Sequence, residues 1–287
     1  MAQISNFGDF PQEYAKLDNS KIVIIPVPYD QTSTWLKGAD KGPQAIIEAS
    51  ANMELYDIET DSQVYKQGIF TDKAIKQATS PEDMIEAVRK RVASFIKKGK
   101  FTVVIGGEHS VGIGSIKACV ENKRGITVLQ LDAHCDLRDE YNGSKHNHAC
   151  TMARARELAP IVQVGIRSMD FSEKQFIDRS TVFFAQDIYN NRDWIGKVIA
   201  KLSDEVYITI DLDVFDPSVM PSTGTPEPGG LLWYDVLALL KAVCVKKNVV
   251  GFDVVELCPD DNNKAPDFMA AKLIYKLLSY KFGGSDE

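Results

Sequence analysis

The chain has 287 residues, is 44% hydrophobic and 25% charged, and carries a net charge of −7. That length is long for an ordinary domain but suits one large α/β domain, and the composition excludes a disordered chain. The acidic balance argues against a nucleic-acid partner and suits soluble behaviour or cationic ligands.

The opening stretch, MAQISNFGDFPQEYAKLDNS, lacks the basic start and apolar run of a secretory signal, and no segment approaches the roughly 18 apolar residues that cross a bilayer. The first apolar, β-branched run is 22–27, a predicted strand. Helices are predicted at 43–53 and at 81–98, the latter with Ser80 as N-cap, Pro81 at its first position and Gly99 after its end. A strand at 101–105 and a helix at 110–121 follow. Strands are then predicted at 126–131, 161–164, 181–184 and 206–210. A helix at 233–246, a strand at 249–255 and a helix at 265–280 complete the chain, and the tail 283–287 is expected to fray. Continuous apolar strands alternating with helices predict one open, mainly parallel sheet covered on both faces. With no repeat or linker in view, residues 1–287 are read as a single domain. The five cysteines, Cys119, Cys135, Cys150, Cys244 and Cys258, are odd in number and form no CxxC, which predicts free thiols in a cytoplasmic setting.

In such sheets ligands bind beyond the carboxyl ends of the strands. Four predicted strands end in reactive groups: Gly106-Gly107-Glu108-His109-Ser110, Asp132-Ala133-His134-Cys135-Asp136, Asp211-Leu212-Asp213 and Glu256. All four histidines of the chain, His109, His134, His146 and His148, lie within forty positions. Imidazole with carboxylate is a donor mix for manganese, iron, zinc or magnesium-like ions, and without thiolates in the motif a structural zinc site is disfavoured. Alternate residues of an extended segment face one side, so Asp132, His134 and Asp136 share a parity, as do Asp211 and Asp213. With His109 this makes six donors, enough for two metals. Four carboxylates at such a site repel one another unless cations compensate them. A lone DxD is more often a turn, and a lone histidine after two glycines is as readily a helix cap. The three segments together favour the metal. Cys135, of opposite parity, is read as packing, and Glu108 as structural.

GGEHS, DAHCD and DLDVFDP, in this order, resemble the signature motifs of the ureohydrolase superfamily of arginases, agmatinases, guanidinobutyrases and formimidoylglutamases. PVPYD, KGPQAI, VGIRS, STGTPEPGGL and DVVELCP extend the resemblance over nearly the whole chain, and VGIRS and PEPGG are closer in wording to agmatinases than to animal arginases. The resemblance implies a three-layer α/β/α sandwich with an eight-stranded, mainly parallel sheet, the eighth strand lying near 68–71. It implies two Mn2+ ions held by His109, Asp132, His134, Asp136, Asp211 and Asp213, with Asp136 and one of the Asp211/Asp213 pair bridging them. It further implies catalytic roles for Asp136, as proton carrier, and His148, as proton shuttle; a guanidinium-binding role for Glu256; supporting roles for Asp216, Thr225 and Asp253; and assembly as a homotrimer or homohexamer. His146 has no counterpart and is read as a loop histidine.

The implied reaction is hydrolysis of a guanidino compound to urea and an amine. The stretch 137–147 lacks the hydrogen-bonding pattern with which arginases hold the arginine carboxylate, which favours agmatine, and Asp139 and Glu140, if turned inward, would attract its amine. Arg138, turned inward, would instead suit an acidic guanidine. Guanidinobutyrate and aminopropylagmatine remain alternatives, as do another metal-dependent C–N hydrolysis on the same site and a silent homologue that serves in assembly. The silent homologue should have lost ligands, and none of the six is missing.

Overall fold

The computed structural model describes residues 6–75 and 79–283; apart from Gly283, the tail expected to fray lies outside them. The elements are β1 (Ile22–Val27), α1 (Gly42–Ser50), β2 (Ile69–Thr71), α2 (Pro81–Ile96), β3 (Phe101–Gly106), α3 (Val111–Asn122) and β4 (Ile126–Leu131). Then come α4 (Thr151–Ala155), β5 (Ile161–Ile166), β6 (Val182–Phe184), α5 (Ala185–Tyr189), α6 (Trp194–Ile199), β7 (Glu205–Asp211), α7 (Trp233–Lys246), β8 (Asn248–Val255) and α8 (Ala265–Phe282). The eight strands form one sheet in the order β2-β1-β3-β8-β7-β4-β5-β6, with every neighbouring pair parallel.

The period of two along each strand divides the core. Ile22 and Ile24 of β1 join a cluster with Ile46 of α1, Leu240 of α7 and Ile274 of α8. Val23, Ile25 and Val27 join the opposite cluster with Val88 of α2 and Ile116 of α3. A sheet buried on both faces needs strands that are apolar on both, which is why the runs do not alternate. The seven strands read from the sequence are present, and the edge strand implied by the resemblance is β2. Helix α2 starts as expected, with the Ser80 hydroxyl accepting the Asp83 N–H at 3.2 Å. It ends two residues early, before a left-handed Gly99. The short helices α4, α5 and α6 escape sequence reading because five or six residues hold too few turns to show a 3.6-residue period. The central strands β3, β8, β7 and β4 are adjacent, so the four strand ends that carry reactive groups meet at one edge.

Away from that edge, Lys276 of α8 lies buried, 2.9 Å from Asp57 and 2.7 Å from Glu59. Burial would raise the Asp57 carboxyl, but bonds from Lys276 and Thr60 hold it below its ordinary value. Lys276 and Tyr280 hold Glu59 at about 2. Lys276→Met should cost roughly 3 kcal/mol at neutral pH, since it leaves Asp57 buried without its cation. A depressed carboxyl adds stability above its unfolded pKa and loses it as the pH falls through the folded value. The penalty should therefore shrink below about pH 4, which urea denaturation at pH 7 and pH 3 would read. An equal penalty at both would assign the loss to packing of the lysine stem.

Candidate metal centre and active site

His109 follows β3 and begins the approach to α3. The turn before it is tight: a Cβ on Gly107 would lie 2.0 Å from the Tyr29 carbonyl oxygen, so only glycine fits there. The His109 Nδ1 atom faces three carboxylates, Asp132 Oδ2 at 3.2 Å, Asp136 Oδ2 at 2.9 Å and Asp211 Oδ2 at 3.5 Å. Its Nε2 atom lies 2.8 Å from the Thr209 hydroxyl, which donates to Asp253 Oδ1 at 2.6 Å. A hydroxyl has one proton, so Thr209 accepts from Nε2–H and leaves Nδ1 with a lone pair. The other Asp253 oxygen accepts from the Tyr207 hydroxyl at 2.6 Å. This chain of buried groups sets the tautomer, as outer partners of metal-binding histidines do.

On the other side, His134 Nδ1 lies 2.9 Å from Asp213 Oδ2 and 3.7 Å from Asp132 Oδ1. Two groups of donors close enough to hold an ion result: His109, Asp132 and Asp211; and Asp132, His134 and Asp213. Asp132 is the member they share, one oxygen toward each histidine. The resemblance had implied a bridging role for Asp136. The structure instead puts Asp136 beside His109, with a left-handed backbone at φ 52° that breaks the extended run. Nor does Asp213 follow in extended register: Asp211 ends β7 and caps a short 3-10 turn by accepting the Asp213 N–H at 2.9 Å.

The donors fit metal ions. His109 Nδ1 is buried and makes no hydrogen bond, although three carboxylate oxygens surround it. Burial would lower both imidazoles, yet the aspartates overcome it. His109 is held well above its ordinary value, and His134 is pushed up to about 12. Burial, reinforced by neighbouring carboxylates, raises Asp211 and Asp136. All four shifts show one demand, for positive charge among the carboxylates.

A cavity of about 320 Å³ opens over this centre, and Glu256, His148, Arg138, Tyr141 and Thr225 help to line it. Glu256 follows β8 with φ 67° and is held by its own N–H to the Gly107 carbonyl at 2.7 Å. Its Oε1 accepts the His109 N–H at 2.7 Å. Burial first, and the nearby Glu108 next, push its carboxyl well up, a state that a cationic ligand would relieve. His148 is set by Thr32, whose hydroxyl accepts its N–H at 2.9 Å and lies 3.3 Å from its Nδ1. Burial lowers this imidazole to about 4. His146 instead meets Glu82 at 3.0 Å on the surface. Glu108 is fully buried and accepts from the Thr32 N–H at 2.5 Å and the Ser33 N–H at 2.8 Å, in keeping with a structural role. Asp216 braces the 224–230 loop through the Gly229 and Gly230 N–H groups at 2.9 and 3.1 Å.

The far end of the cavity differs from expectation. Asp139 turns away to Arg154 at 2.8 Å and Lys145 at 3.3 Å, and neither it nor Glu140 lines the cavity. The acids there are Asp170 and Glu173, beyond β5. Glu173 spends both oxygens on the N–H groups of Leu137 and Asp170, each at 2.7 Å, tying the loop after Asp136 to this turn. Arg138 does face the cavity, stacked 4.3 Å from the Tyr141 ring centre and 3.7 Å from Asp170 Oδ2. Asp170 and Glu173 were legible by the same rule that found the others, since VGIRS ends a strand and Ser168-Met169-Asp170 follows it.

Fold and donor set place the chain among α/β proteins with a candidate metal centre at the carboxyl edge of a parallel sheet. The Arginase family model matches residues 20–279, and the chain belongs to that family. It is 39% identical over 273 residues to the N(1)-aminopropylagmatine ureohydrolase of Synechocystis sp., covering 91% of this chain and 89% of that protein. It is 32% identical to an agmatinase of Pyrococcus horikoshii, covering 95% and 96%. The crystal structure of agmatine ureohydrolase of Thermoplasma volcanium superposes with a TM-score of 0.87 at 30% identity, covering 97% of this chain and 94% of that one.

Proposed function

We propose that the protein hydrolyses the guanidine of agmatine to urea and putrescine. The observation that carries this is the pair of donor groups sharing Asp132, with Glu256 beside them at the floor of one cavity. His109, Asp132, Asp136, Asp211, His134 and Asp213 would hold two ions, which we take to be Mn2+. Ions bound there would lower the pKa of water from 15.7 toward about 7 and so would supply a nucleophile at neutral pH. Glu256 pairs with the guanidinium and turns its carbon toward that water. Asp136 takes the proton released on attack and returns it to the departing amine. His148, on the cavity wall, relays protons between cavity and solvent. The free thiols suit a reducing cytoplasm. We read the chain as a single domain that assembles as a homotrimer or homohexamer, in polyamine synthesis.

The structure bears on substrate through Arg138. Its charge is offset by Asp170 and covered by Tyr141, so it offers an incoming carboxylate little, while Asp170 repels one. We expect kcat/KM for agmatine to exceed that for arginine by at least about tenfold, or 1.4 kcal/mol. Urea assays on agmatine, arginine and guanidinobutyrate with the Mn2+-loaded enzyme test this. Equal or better turnover of either acid would overturn the agmatine assignment.

A further inference from the structure

The hydroxyl of Thr32 stands between Glu108 and His148, and both use it. Its oxygen accepts the His148 backbone N–H at 2.9 Å, lies 2.6 Å from Glu108 Oε1 and lies 3.3 Å from His148 Nδ1. A hydroxyl has one proton and two lone pairs. The carboxylate is the nearer acceptor, so the proton goes to Glu108. One lone pair then takes the backbone N–H, and the other can only accept from the ring. Nδ1 therefore carries the imidazole hydrogen and Nε2 the lone pair.

Glu108 cannot easily turn away from this arrangement. It is fully buried; its Oε1 takes the Thr32 and Ser110 hydroxyls, both at 2.6 Å, and its Oε2 takes the Thr32 and Ser33 N–H groups. The His148 ring also meets Tyr141 edge-on, 6.1 Å between centres. His148 lines the catalytic cavity, whereas Thr32 lines the polar cavity beside it. Nδ1 is thus the anchored nitrogen. Nε2 makes no hydrogen bond among the described residues and is left to the catalytic cavity.

We propose that Thr32, held by Glu108, is the positioning residue of His148: it fixes the Nδ1–H tautomer and presents Nε2 to the catalytic cavity as a base. This rests on the proton relay read above for His148. A proton accepted at Nε2 makes an imidazolium, whose Nδ1–H points at an oxygen already polarised by Glu108. The same proton leaves from Nε2 to water, and none passes through Thr32.

The test is a set of variants of the Mn2+-loaded full chain, assayed on agmatine. Thr32→Val keeps the shape and removes the hydroxyl. It should lose about 10–100-fold in kcat, with KM within about twofold of wild type and both ions retained. Thr32→Ser, which restores the hydroxyl, should recover most of that loss. In a His148→Asn background, Thr32→Val should cost less than about twofold more, because the ring it positions is gone. An undiminished loss in that background, or loss of manganese, would overturn the positioning role. A second readout needs no turnover: NMR of the ring nitrogens in isotope-labelled full chain without manganese. The chain has four histidines, so the His148 signals are assigned by their absence from His148→Asn. Wild type should show Nδ1 protonated and Nε2 bare, and Thr32→Val should lose that preference. Protonated Nε2 in wild type, or an unchanged tautomer in Thr32→Val, would overturn the proposal. The expected tautomers, with no urea released from agmatine, arginine or guanidinobutyrate, would uphold the positioning and overturn the ureohydrolase reading.

Discussion

Asp132→Ala should release both metal ions, whereas His134→Ala should release one. Asp132 directs one oxygen toward His109 and the other toward His134, so its loss opens both groups of donors at once. The remaining carboxylates then face one another with less cationic compensation, which weakens each ion further. His134→Ala removes a single donor from one group, leaving His109, Asp132 and Asp211 in place. Manganese content after equilibrium dialysis separates these outcomes: near zero for the first variant, near one for the second, two for wild type. His146→Ala, which changes only a surface pair with Glu82, should keep both ions. Turnover of Asp132→Ala should fall by at least about a thousandfold, since no activated water remains at neutral pH. If Asp132→Ala retains one ion at wild-type affinity, the shared carboxylate is misassigned.

Glu256→Gln should keep both ions and lose on the order of 10²–10³ in kcat/KM on agmatine, the scale of truncating one partner of a buried charge pair. The substitution preserves shape and keeps an oxygen to accept the His109 N–H, so the turn after β3 stays in place. What it removes is the negative charge that meets the guanidinium. The same burial that raises this carboxyl in the free protein makes its ionised form strong toward a cation inside the cavity. Metal content equal to wild type together with the kinetic loss would assign Glu256 to substrate. Loss of manganese would assign it to the support of His109.

The contrast between these residues shows what could be read before the fold was known. His109, Asp132, Asp211 and Glu256 were visible because each follows an apolar run, and strand ends are where such sheets bind ligands. Which oxygen serves which ion was not visible. Parity assumes an extended chain, and the backbone leaves that state at Asp136 and in the turn after Asp211. Asp139 and Glu140 failed for a related reason: sequence places them in the right loop, but Arg154 and Lys145 draw Asp139 outward.

Layering and donor types were legible in the residues alone, because both depend on local order: period two along strands, caps at helix ends, acids and imidazoles at strand ends. Which of these groups meet depends on how the strands pack. Strands β3, β8, β7 and β4 are neighbours although they are far apart along the chain, and that adjacency gathers His109, Glu256, Asp211 and Asp132 at one edge. It also set Trp35 and Met169 on the lining of the same cavity. Contacts of this kind depend on strand order and loop closure over long separations, which no local pattern encodes.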